Sequence, residues 1–177
     1  MSEAPTKRPK KKSCCFGCGF LALLPILFIA FAFTPSWKTQ NAPVSVEEAR
    51  KLGCPILLPD SARNVQFAWY DQWVISQTYV RFEADPAVCH AHAKTLVEDN
   101  VKRVADIPVS NQTDLTSLTS APQNSLLQPG RLNPLGSLPW FNIQDIKHGS
   151  FRHGIVSYDP DIWIDDDKGI FYYRNTD

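Results

Sequence analysis

The longest unbroken hydrophobic pattern in the chain comes first. Between Ser13 and Ser36 there is no charged residue, and the run Cys14–Phe33 is apolar or small almost throughout. At ~1.5 Å rise per residue a helix of that length spans ~30 Å, the thickness of a bilayer's hydrocarbon core. Pro25, Gly17 and Gly19 are tolerable inside such a span, where neighbouring groups re-satisfy the backbone. The pattern therefore predicts a transmembrane helix over residues 14–34, followed by Trp37 and Lys38 as an interfacial anchor. The competing reading is a signal peptide cut near Ala32, since Ala30-Phe31-Ala32 has the small-x-small form of a cleavage site.

Beyond the span the periodicities shorten. Residues 35–44 are polar and read as a linker. Ser45-Val46-Glu47-Glu48 is a capping box that opens a short helix ending at Gly53. Residues 64–71 place Val65, Phe67 and Trp69 on one face. Residues 74–83 place Thr78, Val80 and Phe82 opposite Tyr79, Arg81 and Glu83, so the pair reads as an antiparallel hairpin. Asp85-Pro86 combines an N-cap side chain with proline at the first helical position. It starts a helix running to Val101 or Val104, with Val88, Cys89, Ala93, Leu96 and Val97 as its apolar stripe. From 106 to 139 the composition turns to Ser, Thr, Asn, Gln and Pro, which reads as a long polar loop. Trp140–Ile146 suggests one or two helical turns. Asp161–Asp165 and Ile170–Arg174 then flank Asp166-Asp167-Lys168-Gly169 as a second hairpin, with Gly169 in the left-handed region.

These elements give an α+β fold: an N-terminal transmembrane helix, then a small antiparallel sheet of two hairpins with one main covering helix. The organisation is a basic tail (1–13), the span (14–34), the linker (35–44) and an α+β domain (45–177).

Charge fixes the orientation. The chain is neutral overall, but residues 1–34 hold five cations against one anion, whereas residues 35–177 hold 13 cations against 17 anions. By the positive-inside rule the cationic block at 7–12 keeps the N-terminus in the cytoplasm and sends the domain to the extracytoplasmic side. The mildly acidic domain argues against nucleic acid as a partner, because phosphate binding needs a clustered basic surface. The expected partners are the lipid bilayer and an unidentified envelope or membrane protein.

Candidate chemistry is sparse. Cys14, Cys15 and Cys18 have ligand-like spacing but lack the second pair that a structural zinc site needs. Cys89 and His92 are three apart on the second helix, and Asp165 and Asp167 lie in an acidic run; these four are the candidate metal ligands. His90 and His92 are ~200° apart on a helix and cannot share one ion. Cys54 and Cys89 are the only cysteines past the span and are a candidate disulfide, with two separate buried thiols as the alternative. Trp69, Trp73, Trp140 and Trp163 are candidates for an aromatic binding surface. No dinucleotide, P-loop, zinc-protease or nucleophile-elbow motif is present. No residue is singled out as catalytic, and no cofactor is expected. The sequence thus favours a membrane-tethered, non-catalytic binding or assembly module. A membrane-anchored hydrolase using Asp and His groups, and a small subunit of a membrane complex, are the alternatives.

Overall fold

The computed structural model describes residues 34–72, 75–103, 116–118, 135–154 and 159–176. The expected span at 14–34 lies outside them except for Thr34. Among the described residues no helix is long and apolar enough to cross a membrane.

The elements, in chain order, are β1 (Ser36–Val44), α1 (Val46–Lys51), β2 (Arg63–Gln72), β3 (Ile75–Glu83), α2 (Pro86–Arg103), β4 (Thr116–Leu118), β5 (Gly149–Arg152), β6 (Asp161–Asp165) and β7 (Ile170–Thr176). The seven strands form one sheet in the order β1-β2-β3-β7-β6-β5-β4, and every neighbouring pair is antiparallel. The sheet is two meanders joined edge to edge. β1–β3 run outward from one edge. After α2 the chain resumes at the far edge and returns strand by strand until β7 pairs with β3. The α+β class expected from the sequence holds, with a sheet wider than two hairpins.

Local chemistry explains the element boundaries. Ser45 caps α1 by accepting from the Glu48 N–H at 3.2 Å, and Gly53 leaves the helix with φ +80°. Asp85 accepts from the Ala87 N–H at 2.8 Å at the start of α2. The β6–β7 turn closes on Gly169 at φ +61°, and a Cβ there would lie 2.2 Å from the Ala84 carbonyl oxygen. That close approach, with the left-handed backbone, requires glycine. Its own carbonyl accepts from the Ala84 N–H at 2.9 Å, tying the hairpin tip to the lead-in of α2.

Period-two alternation sorts the sheet into two covered faces. On one, Val65 and Phe67 of β2, Val80 and Phe82 of β3, Phe171 of β7, and Ile162 and Ile164 of β6 meet Cys89, Ala93 and Val97 of α2 and Val46 and Ala49 of α1. On the other, Trp163, Ile170 and Tyr172 meet Ile143 and Ile146 from the segment before β5, with Phe141 and Phe151 packed alongside. Phe141 is the wedge there, standing edge-on to Tyr79, Trp163 and Tyr172 at centroid distances of 5.2, 6.0 and 5.4 Å.

Two expectations are corrected. Residues 36–44, read as a linker, form β1. Its sequence SWKTQNAPV lacks an apolar alternation because it is an edge strand, mostly exposed and held by its ladder to β2. Lys38 and Pro43 on that edge are devices that discourage further strand pairing. Within the expected loop at 106–139, residues 116–118 form the edge strand β4; most of the rest of that stretch lies outside the described residues. Of the one or two helical turns expected over Trp140–Ile146, a single 3-10 turn forms at Ile143–Asp145.

Candidate functional site

Two arrangements of side chains stand out. The first is a recess over the helical face. Pro55, Ile56 and Leu57 form a strap that passes α2 near Leu96 and Asp99, and Pro160 and Tyr173 complete a pocket of about 180 Å³. Leu57 is 79% exposed. The strap follows from its sequence: Pro55 and Pro59 exclude helix and keep the intervening residues extended. One helical turn before Leu96, His92 stands edge-on to Phe82 at 5.6 Å and Phe171 at 5.3 Å. Burial pushes its pKa down to about 4, and a hydrogen bond with the Leu57 backbone acts in the opposite direction. The Nε2 atom is buried without a partner. The recess is thus a depression of mixed character, walled by apolar side chains together with polar surface that includes Asp99.

The second arrangement centres on Asp161, at the start of β6. The β6–β7 register sets it opposite Arg174. Arg174 donates from Nε to Oδ2 at 2.9 Å and also from its terminal nitrogen. Oδ1 receives the Gly154 N–H at 2.9 Å and faces His153 Nδ1 at 2.5 Å. Asp161 is almost fully buried, whereas His153 is more than half exposed. The Arg174 guanidinium lies 5.2 Å from the centroid of Trp163, whose other neighbour Phe151 is stacked at 5.6 Å and in turn faces His153. Tyr79, across from Arg174, has its hydroxyl pKa raised, first by burial and then by Asp161, against the opposing charge of Arg174. A carboxylate that fixes one imidazole nitrogen leaves the other free to exchange protons with solvent.

Two more polar groups brace the sheet. Arg152 and Asp159 form a buried pair at 2.8 Å, with Arg152 also donating to the Pro160 carbonyl at 2.9 Å. On the opposite face Arg81 links Gln66 at 3.2 Å to Glu83 at 2.8 Å. Burial raises the Glu83 pKa, but hydrogen bonds from Asn64 and Arg81 and the charges of Arg81 and Arg63 outweigh it, and the net direction is down.

The candidates named from sequence do not converge. Cys89 is buried against the Ala84 carbonyl, and His92 is in the aromatic notch. Asp165 is buried, accepts the Lys168 N–H at 3.1 Å and pairs with the Lys168 ammonium. Asp167 pairs with His148 at 2.8 Å, and Asp166 with His90 at 2.8 Å. Among the described residues no three His, Cys, Asp or Glu side chains are grouped to hold a metal. Cys54 and Cys89 are free thiols, both packed at the helical core. Burial pushes their pKa values up to about 11 and about 12. Of the four candidate tryptophans, Trp69 packs at the helical core and Trp163 is buried on the opposite face. Trp140 donates to Asn41 Oδ1 at 2.9 Å, and Trp73 lies outside the described residues. Trp69 and Trp163 lie on opposite faces, so the described candidates do not share one surface.

The Asp161–Arg174 pair is absent from the sequence candidates. A signal for it existed: once Asp165 is set opposite Ile170, counting back along the hairpin brings Asp161 opposite Arg174, and opposed charges on neighbouring strands attract. No protein-family model, curated protein or solved structure matches this chain.

Proposed function

We propose that this is a single-pass membrane protein whose N-terminal tail is cytoplasmic and whose α+β domain is an extracytoplasmic, non-catalytic binding or assembly module. The span at 14–34 and the cationic block before it support the topology. The observation that carries the binding role is the recess between the Pro55–Leu57 strap and α2, with Leu57 exposed at its lip. About 180 Å³ suits one large side chain of a partner rather than a free metabolite, for which pockets run to roughly 300–1,000 Å³. A photo-crosslinking residue at position 57 of the full chain, in cells, is expected to give a discrete adduct with one envelope or membrane protein, and the same residue at Asp60 none. A diffuse smear, or equal yields at both positions, would contradict the role.

One observation favours a second reading, a hydrolase using Asp and His groups. Asp161 orients His153 as a carboxylate orients a general base. That reading predicts that His153→Ala abolishes an activity while leaving crosslinking at position 57 intact.

A further inference from the structure

The two ends of the sheet differ in charge, and the difference marks one end for a lipid surface. At one end the register pairs are Ser36 with Asp71, Gln72 with Ile75, and Gln77 with Thr176. One step in from that edge Trp37 pairs with Tyr70. Trp37 is 65% exposed, and the Tyr70 hydroxyl bonds Gln72 at 2.6 Å. Asp71 is the only charge among these eight residues. The nearest charges on the neighbouring strands, Asp161 and Arg174, neutralise each other. The opposite end is heavily charged: Arg63 pairs with Glu83 across the first hairpin, and Asp165, Asp166, Asp167 and Lys168 crowd the tip of the second.

We infer that the end carrying Trp37 and Tyr70 docks on the headgroup layer of the bilayer, with the acidic hairpin tip pointing away. Three facts converge on this. Tryptophan and tyrosine favour the interface because each has an apolar ring and one polar handle. With one charge among the eight described residues named, this end has little desolvation to offset there, whereas the acidic end would be repelled by anionic headgroups. The chain also enters the sheet at this end: β1 begins at Ser36, three residues after the apolar run ends at Phe33. At no more than ~3.6 Å per residue, that connection reaches only ~10 Å. Lys38, expected from sequence to join the interface, is engaged with the Leu52 carbonyl instead, which leaves Trp37 as the anchor. The inference rests on the proposed membrane span and deepens it, turning a loosely tethered domain into a seated one.

The test uses the full chain in vesicles of brominated phosphatidylcholine, whose bromines quench tryptophan at contact range. Trp37 is compared with Trp140, which is tied to Asn41, four residues or ~13 Å further along β1. The fraction of quenching lost in Trp37→Phe is expected to be at least twice that lost in Trp140→Phe. Alkaline extraction of the same vesicles reads the span separately. A chain that stays with the lipid while both variants lose equal quenching overturns the docking alone. A chain released by alkali overturns the span and the docking together.

Discussion

Protonating His92 is expected to destabilise the domain by an amount the structure allows to be worked out. Its imidazole stands edge-on to the stacked rings of Phe82 and Phe171, with Nε2 buried and unpartnered, and its pKa falls from an ordinary 6.5 to about 4 because burial disfavours the cation. Above pH 6.5 the residue is neutral whether the chain is folded or not. As pH falls from 6.5 toward 4, the unfolded chain takes up a proton that the folded chain refuses, so stability is lost across that window. A difference of 6.5 against about 4 corresponds to about 3 kcal/mol at 1.36 kcal/mol per pKa unit. Water reaches part of the ring, and screening reduces the expected loss to about 2 kcal/mol. The assay is urea unfolding of the full chain in a mild detergent at pH 7 and pH 4.5, followed by tryptophan fluorescence, for wild type and for His92→Leu. Other pH-dependent contributions are common to the two proteins, so only the difference between them is diagnostic. The variant is expected to lose about 2 kcal/mol less than wild type between the two pH values. Identical pH dependence in the two would refute the reasoning.

Other consequences follow from burial and backbone geometry. Asp159→Ala strands Arg152 in the interior and is expected to cost about 3–5 kcal/mol in chemical denaturation. Asp60→Ala removes an exposed pair of nearly equal length, 2.7 Å to Arg50, and is expected to cost less than about 1 kcal/mol. Gly169→Ala forces a Cβ onto the Ala84 carbonyl in left-handed backbone and is expected to lower the thermal midpoint by several degrees, at about 1–2 kcal/mol for the backbone term alone. With the full chain folded at pH 8, a thiol reagent is expected to leave Cys54 and Cys89 unmodified and to modify both once urea is added, as counted by intact mass. Rapid labelling of either one in the folded chain would contradict their burial.

What was legible in the sequence was local. The capping serine of α1, the Asp85-Pro86 start of α2, and the two hairpins with Val65, Phe67, Val80 and Phe82 facing inward each depend on residues a few positions apart. β1 was not legible, because an exposed edge strand takes its stability from the backbone ladder to β2 and needs no apolar stripe. Nor was the β3–β7 pairing, which joins residues about 90 positions apart and decides that the two meanders make one sheet. The candidate site followed the same division. His92 and Asp165 were visible as residue types, but whether they met a metal, a solvent face or a core depended on that long-range pairing. The Arg152–Asp159 and Asp161–Arg174 pairs are set by strand register, so a reading of spacing along the chain passed over them.

In the proposed topology the domain is held to a membrane by an uncleaved N-terminal span. The most direct measurement is the intact mass of the chain recovered from alkali-washed membranes. A membrane-retained chain with residues 1–33 still attached is expected. A chain that begins at Phe33, or one found only in the alkaline wash, would contradict it.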